Sequence, residues 1–288
     1  VSYTFATATA ASEDPVNENY FWTVDDNGTR RVGPLEIKRD AELIASGDAA
    51  TISKYTAWLN EDHPFYLRWY DQGLTESEGG YAQGRFSVYR VRIIGINHDT
   101  LTTPQGGRTK AGLTFQFAEL LKYPMRMNST ATSTGGWGSC AVRSALNTSS
   151  GAVRKQAPAA FLEDIKWVKK PYHNRSALTS ISDSLFLVSL QELTGTIANF
   201  GGAYSGEGTR YAYWSKRTMP NKWDGHTGAV PSESLKMRVP GSTSPMPWWL
   251  RSSVSNIGGR FVSALANGGL YDVSASSTTT YLLPCFAM

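Results

Sequence analysis

Cysteine is nearly missing from this sequence, since two of its 288 residues, Cys140 and Cys285, carry a thiol. Two cysteines allow one disulfide, but they cannot form the framework of bridges that holds a small secreted scaffold together. Two free, partly buried thiols are the simpler interpretation, because an unpaired cysteine behaves as a small hydrophobic residue. The fold must therefore depend on a packed core.

Long hydrophobic runs are also missing, and no stretch approaches the ~20 apolar residues that a transmembrane helix needs. The first residues, Val1 to Phe5, lack the basic segment followed by an apolar segment that is typical of a signal peptide. We therefore expect no membrane insertion and no signal peptide in this sequence.

Charged residues are sparse, at 18% of the chain, and the net charge is +4. The densest basic segment, residues 166–175, is short and is interrupted by Trp167 and Val168. No reading motif of a nucleic-acid-binding domain accompanies it, so we expect no nucleic acid partner. Aromatic residues at 12% and 27 glycines instead indicate a loop-rich, mostly β protein rather than a disordered chain.

Catalytic and metal-binding patterns are lacking as well. The four histidines are scattered, and none belongs to a His-Glu-x-x-His motif. His98 lies beside Asp99, but no spacing to a further group supports acid–base chemistry, so we interpret it as a hydrogen-bonded turn residue. Residues 206–209, Gly-Glu-Gly-Thr, lack the ending of a phosphate-binding loop. We therefore expect no enzyme, no cofactor and no metal ion.

What the sequence does contain is a series of short strands and turns. Residues 85–96 alternate apolar and polar side chains and then become continuously apolar, which predicts a strand that runs from an edge into the core. Three further strands are predicted at residues 113–117, 248–251 and 261–265. Asn27-Gly28 and residues 267–269 predict tight hairpin turns. Pro158 begins the clearest helix, which helical spacing of apolar residues extends to Val168.

Several short strings, in this order, resemble one family of domains. They are Ile94-Gly95-Ile96-Asn97-His98-Asp99, Lys110-Ala111-Gly112-Leu113-Thr114-Phe115, Met127-Asn128-Ser129-Thr130, Gly135-Gly136-Trp137, Asp183-Ser184-Leu185-Phe186-Leu187, Gly206-Glu207-Gly208-Thr209-Arg210-Tyr211 and Trp248-Trp249-Leu250-Arg251-Ser252. Together they resemble an uncharacterised family of prophage structural proteins and bacterial surface proteins. That family is similar to C-type-lectin-like and formylglycine-generating-enzyme-like folds, and to the variable proteins of diversity-generating retroelements.

The resemblance implies a fold class and a division of the chain. It covers residues 85–288 and implies an α+β, C-type-lectin-like domain of short helices and antiparallel strands. Residues 1–84 are then expected to form an N-terminal arm and assembly module, with residues 1–20 as an extended arm. The family usually closes with a Gly-Val-Arg-Pro-like string, of which Pro284 is present here and the arginine is not.

One group of residues is interpreted as structural. In a strand, Trp248 and Leu250 share one face while Trp249 and Arg251 share the other. A tryptophan beside an arginine could stack on a sugar. The alternative, which we favour, is a tryptophan in the core and Arg251 paired with an internal carboxylate, either Glu207 or Glu192. Glu207 could otherwise be a metal ligand, but a calcium ion needs about six to eight oxygen ligands, and only one carboxylate is evident here. The structural residues are Trp248, Trp249, Arg251, Glu207 and Trp137.

A second group is the expected ligand-binding surface. Residues 252–280 are rich in Ser, Asn, Thr and Tyr, which suit adaptable recognition loops. In the variable proteins that the sequence resembles, this region contacts the ligand. The alternative is a set of ordinary exposed hairpins. The candidate ligand-binding residues are Ser255, Asn256, Arg260, Asn267, Tyr271, Ser274 and Ser276.

The resemblance implies a function outside catalysis. We expect a phage virion surface protein, such as a tail, baseplate or head-surface adhesin, that displays a binding face for a host-surface or glycan ligand. Its partners would be other virion proteins and further copies of itself in a homo-oligomer. The alternatives are a capsid decoration protein without a ligand and a bacterial cell-surface, extracellular adhesin.

Overall fold

The computed structural model describes residues 20–25, 27–28, 30–70, 86–198, 200 and 203–288. Residues 1–19 of the predicted arm lie outside these residues, and so does Arg85 at the start of a predicted strand. Within the described chain the fold class is α+β, as predicted, with mostly antiparallel sheets and short helices. No helix in the described residues is long and apolar enough to cross a membrane.

The elements follow one another in small units. The strands are β1 (Phe21–Val24), β2 (Arg31–Val32), β3 (Phe65–Tyr70), β4 (Phe86–Ile96), β5 (Thr100–Gln105), β6 (Arg108–Lys110), β7 (Leu113–Phe117), β8 (Val168–His173), β9 (Leu178–Asp183), β10 (Leu185–Phe186), β11 (Trp248–Ser253), β12 (Arg260–Ala264), β13 (Leu270–Ser274) and β14 (Cys285–Ala287). The helices are α1 (Pro34–Ala45), α2 (Ala49–Asn60), α3 (Gly136–Ser139), α4 (Ala141–Asn147), α5 (Ala159–Asp164), α6 (Leu190–Thr194) and α7 (Ala212–Ser215).

Three antiparallel sheets contain the described strands. The largest has seven strands in the order β10-β14-β7-β4-β3-β1-β2. The second has four strands, β6-β5-β8-β9, and the third has three, β11-β12-β13. The large sheet therefore combines strands from distant parts of the chain, and β14 lies between β10 and β7.

The strand and turn predictions are confirmed where the local pattern is strong. In β4 the first residues are partly exposed and the segment from Val91 to Gly95 is buried, so the strand does run from an edge into the core. Gly28 has a φ of +68° in the β1–β2 hairpin, and Gly268 has a φ of +87° between β12 and β13. Glycine adopts these left-handed conformations without the strain that a side chain would add.

The helix that follows Pro158 is shorter than predicted. It ends at Asp164, and Val168 instead begins β8, which pairs with β9 over six residues. In β8 the buried side chains are Val168, Lys170 and Tyr172, which alternate with more exposed ones. Apolar residues at helical spacing misled the prediction because the hydrogen bonds to β9, a segment that follows in the chain, impose the period of a strand.

Aromatic side chains from both ends of the described chain meet in the core. The Phe115 ring lies 5.1 Å from Phe21, 5.0 Å from Phe65 and 5.2 Å from Phe286, measured between ring centroids. Such pairs add stabilisation beyond their buried area. β3, on the N-terminal side of the predicted boundary at residue 84, pairs with β4 on its other side. The division into residues 1–84 and 85–288 stays a prediction.

Both cysteines are free and buried, as predicted. The Cys140 thiol accepts a hydrogen bond from the Arg143 N–H and caps the start of α4. Burial raises the pKa of Cys140 to about 12, so this thiol stays protonated near neutral pH.

Candidate ligand-binding face

A buried arginine joins four segments beneath the candidate face. Arg251, in β11, is fully buried and forms an ion pair with Glu192 of α6. Its guanidinium also donates hydrogen bonds to the carbonyl oxygens of Leu187, at 2.9 Å, Pro171, at 3.0 Å, and Glu207, at 2.8 Å. This is one of the two carboxylate pairings that the sequence analysis allowed for Arg251. The guanidinium therefore fixes β11 against β8, α6 and the turn at residue 207.

Glu207 occupies a tight turn between two glycines. Gly206 and Gly208 have φ angles of +87° and +109°, and a Cβ on Gly208 would lie 2.7 Å from the Glu192 carboxylate. The Glu207 carboxylate accepts hydrogen bonds from the His173 N–H, at 2.9 Å, and from the Ser252 hydroxyl. Burial raises the pKa of Glu207, although Arg251 opposes that shift. The turn therefore places the buried Glu207 carboxylate where the His173 N–H and the Ser252 hydroxyl can bind it.

Lys170 extends the same network towards the large sheet. Its ammonium lies 2.7 Å from Asp99, 2.7 Å from Glu192 and 2.9 Å from the Tyr211 hydroxyl. Burial alone would raise the pKa of Asp99, but Lys170 and hydrogen bonds from its neighbours outweigh burial and lower it to about 2. We call Arg251, Glu192, Lys170, Asp99 and Glu207 the buried network.

The three structural tryptophans are fully buried, and each indole N–H has a partner. Trp248 donates to the Leu235 carbonyl at 2.9 Å, and Trp249 donates to the Met125 carbonyl at 2.8 Å. Trp137 donates to the Asp183 carboxylate at 2.7 Å. None of these rings is available to stack on a sugar, because all three lie in the core.

Loops from distant parts of the chain meet at the end of β11, above the buried network. Arg175 donates a hydrogen bond to the Ser255 carbonyl at 3.1 Å, and its own carbonyl accepts one from the Tyr204 hydroxyl at 3.2 Å. The Gly259 N–H donates to the Ser133 hydroxyl at 3.0 Å. A Cβ on Gly259 would lie 2.2 Å from the Ala131 carbonyl oxygen, so the two loops are in close contact. We call this surface, residues 129–133, 174–178, 254–259 and 274–278, the loop face.

Five of the seven predicted ligand-binding residues lie at or beside the loop face. Ser274 pairs with Arg260 in the β12–β13 register, which brings residues 274–276 to the end of the sheet from which Ser255 and Asn256 extend. Arg260 is held by an ion pair with Asp272, 3.3 Å away. The members at this end of the sheet are Ser255, Asn256, Arg260, Ser274 and Ser276.

The other two predicted residues lie elsewhere. Asn267 is in the β12–β13 turn, at the opposite end of the hairpin, where its side chain accepts a hydrogen bond from the Gly269 N–H at 2.8 Å. Tyr271 is the second residue of β13, next to the β12–β13 turn, and its ring packs edge-on against Trp223 at 6.3 Å. The seven residues therefore do not form one continuous site.

The sequence analysis missed three residues of the loop face or its edge. Ile257 is 46% exposed between two predicted residues, and Leu178 is 48% exposed on the neighbouring hairpin. Arg175 has a φ of +79°, an unusual conformation for a residue with a side chain. Composition did not indicate Ile257, because small polar and tyrosine side chains were taken as the mark of a recognition loop. Arg175 belongs to the basic segment 166–175, which was considered only as a nucleic-acid-binding segment.

The loop face offers hydrogen-bonding groups and two apolar side chains on a rigid base. Its exposed residues include Ser129, Thr130, Asn256 and Thr278, none of which carries a charge. The charged residue of the loop face is Arg175, which is half-buried and whose guanidinium donates hydrogen bonds to Ser133 and Ser255. The charged groups of the buried network lie beneath this face and are sealed from solvent. In the described residues no group of three or more His, Cys, Asp or Glu side chains is arranged to hold a metal ion. Such a surface can bind a neutral polar ligand.

Comparison with known proteins gives one match. The family described as a domain of unknown function (DUF6273) matches residues 114–288. No curated protein and no solved structure matches the chain. The matched region begins in β7 and includes the loop face and all of the buried network except Asp99.

Proposed function

The chain belongs to the family of the domain of unknown function DUF6273, and we propose that it is a virion surface adhesin of a phage. In this proposal a C-type-lectin-like domain presents the loop face to a host-surface or glycan ligand. The virion setting and the lectin-like fold come from the sequence resemblance described above. The partners are other virion proteins and further copies of this chain.

One observation carries the binding part of the proposal. Uncharged, mostly small side chains project from loops whose backbones are fixed by Arg175, Ser133 and the buried network below them. Recognition sites commonly combine adaptable polar contacts with a few apolar anchors on a rigid scaffold. Ile257 and Leu178 supply the anchors. Several copies on one particle would turn weak single-site binding into firm attachment.

The first experiment measures binding of the purified chain to a glycan array and to cells of candidate host bacteria. Ile257→Asp places a charge at the centre of the loop face and is expected to weaken binding at least ~10-fold, because the desolvated anchor of a site dominates its affinity. Leu35→Asp is the matched control, since Leu35 is exposed on α1, away from the loop face.

The two variants separate the possibilities. Loss of binding with Ile257→Asp alone supports the proposal, whereas equal binding by both variants rejects the loop face as the site. A cryo-electron microscopy map of the assembled particle distinguishes the alternatives. A loop face buried between subunits would indicate a decoration protein without a ligand. Finding the chain attached to bacterial cells, and not in the particle, would indicate a cellular adhesin.

A further inference from the structure

A second concave region lies away from the loop face. It is lined by β4, by residues 118–119 after β7, by α7 and the residues after it, and by residues 233–242. Trp248, at the start of β11, donates a hydrogen bond to Leu235 of this last segment, whereas the loop face adjoins the other end of β11. The cavity has a volume of about 420 Å³, which is within the size range of small-molecule sites.

Arg92 forms the inner wall of this region. Its side chain is 8% exposed, and its guanidinium donates hydrogen bonds to the Tyr213 hydroxyl and, at 3.2 Å, to the Ala118 carbonyl. Its Nε atom is buried without a hydrogen-bond partner in the described chain. Within the described residues no carboxylate lies within 4.0 Å of it, although a buried guanidinium without an anion is costly.

Two further arginines line the same region. The Arg217 guanidinium lies 3.2 Å above the centre of the Tyr213 ring, and Arg92 lies 5.0 Å from that centre. Arg217 donates to the Tyr213 carbonyl at 2.8 Å, and Arg238 donates to the Thr243 carbonyl at 2.9 Å. Among the described residues neither arginine has a carboxylate partner. Three guanidinium groups therefore share one concave region, and two of them share one aromatic ring.

The carboxylates that line this region each contact a group other than the three arginines. Asp62 lies 3.1 Å from Arg90, and Glu233 pairs with Lys236. Glu119 accepts a hydrogen bond from the Arg90 N–H at 2.8 Å, and burial raises its pKa. Arg90 and Arg92 oppose that shift, so Glu119 interacts electrostatically with Arg92, although in the described chain it forms no direct ion pair with it.

We propose that this region, the arginine pocket of Arg92, Arg217 and Arg238, binds a small ligand through an oxyanion group, either a carboxylate or a phosphate. A guanidinium presents its N–H donors in a planar fork that matches two oxygens of such a group. The bound anion would supply the direct carboxylate or phosphate contact that Arg92 lacks in the described chain, and it would accept the hydrogen bond that its Nε can donate. The site differs from the loop face in place and in charge.

The test is isothermal titration calorimetry of the full chain with sodium phosphate and, separately, with sodium glucuronate. Ionic strength is held constant with sodium chloride. We expect one of the two to bind with a Kd of about 1 mM or tighter, which is within the range of a weak small-ligand complex. Arg217→Gln is expected to weaken that binding ~10-fold or more, because it removes one charged fork. Arg126→Gln is the matched control, since Arg126 is an exposed arginine outside the pocket.

Every outcome decides the proposal. Binding of phosphate alone assigns a phosphorylated ligand, and binding of glucuronate alone assigns an acidic sugar or another carboxylate. No binding of either up to ~10 mM overturns the site, and so does an equal loss in Arg217→Gln and Arg126→Gln, which would indicate unspecific attraction of anions. The measurement does not involve the loop face. Anion binding in the arginine pocket can therefore be confirmed even if the loop face binds no ligand, and it can be rejected even if the loop face does.

Discussion

The buried network and the arginine pocket contain the same kinds of side chain in opposite situations. In the buried network, Arg251 and Lys170 each contact the Glu192 carboxylate directly. In the arginine pocket, Arg92 is almost as deeply buried and, in the described chain, contacts no carboxylate. Burial alone therefore does not distinguish an arginine that stabilises the fold through an ion pair from one that is free to bind an anion.

What separates the two regions is how completely their charges are satisfied. A closed set of ion pairs and hydrogen bonds holds segments in one arrangement, and it loses several interactions when one member is removed. An unpaired, buried cation contributes little to holding the fold, because its desolvation is not offset by an opposite charge. Substitutions in the two regions should therefore differ in how much they change the stability of the fold.

Glu192→Gln is expected to cause the largest loss of stability. It leaves Arg251 and Lys170 without their shared carboxylate, and removing one partner of a buried ion pair typically costs about 3–5 kcal/mol. The free energy of unfolding from urea denaturation measures this loss. Glu42→Gln, at an exposed position of α1, is the control and should change stability by less than ~0.5 kcal/mol. Equal effects would show that the network is not a stabilising unit.

Acid should weaken the buried network through Asp99. Its folded-state pKa of about 2 lies below the usual value, so its stabilising effect is complete above about pH 4 and is lost as the pH falls towards 2. The expected loss is roughly 2–3 kcal/mol. Glu207 has the opposite effect on stability. Because its pKa is raised in the folded state, its protonation as the pH falls favours folding.

Asp99→Asn provides the comparison for that pH dependence. The variant is expected to be less stable than the original chain at pH 7, and its stability should fall less between pH 4 and 2. Urea denaturation at several pH values measures both quantities. Parallel curves for the two proteins would exclude Asp99 as a source of the acid sensitivity.

Arg92→Met should behave unlike Glu192→Gln. The methionine keeps an apolar chain of similar length against Tyr213 and removes a buried charge that has no carboxylate partner in the described chain. Replacing buried ionic groups by well-packed apolar ones is often neutral or stabilising. In buffer without multivalent anions, thermal and urea denaturation should therefore show a change of less than about 1 kcal/mol, or a gain. A loss of 3 kcal/mol or more would mean that Arg92 is a structural residue.

The smallest expected effect is the response of the arginine pocket to salt. Arg217 and Arg238 are partly or fully exposed, so sodium chloride should screen their mutual repulsion and stabilise the fold by a few tenths of a kcal/mol. Arg217→Gln should reduce that gain. The difference between the two proteins in 0.05 and 0.5 M salt, measured by urea denaturation, isolates this contribution. An identical salt response would show that the charges of Arg217 and Arg238 do not interact.

Local patterns predicted those features of the fold that depend on neighbouring residues. β4 and β7 follow from apolar alternation, and the Asn267 turn follows from glycine in a tight turn. The end of α5 did not follow, because β9 provides the strand partner for residues after Asp164. Pairing between strands is a long-range event that a window of sequence does not contain.

The site was predicted less completely for a geometric reason. Residues 252–280 were treated as one surface, but β12 and β13 form a hairpin, and a hairpin has two ends. The predicted turn at Asn267 already implied that this residue lies far from Ser255. The arginine pocket was not predicted at all, since nothing in the sequence indicates which arginine will lack a carboxylate partner.

The position of β14 has a consequence for synthesis of the protein. β7 and β10 flank β14 in the large sheet, and roughly 170 residues separate β7 from β14 along the chain. At translation rates of about 5–20 residues per second, the edge of β7 waits roughly 10–30 seconds for its partner. During that time it presents unpaired N–H and C=O groups to other nascent chains. Expression at lower temperature or with a chaperone should therefore raise the soluble yield, because the interval before closure is when the chain is most exposed to aggregation.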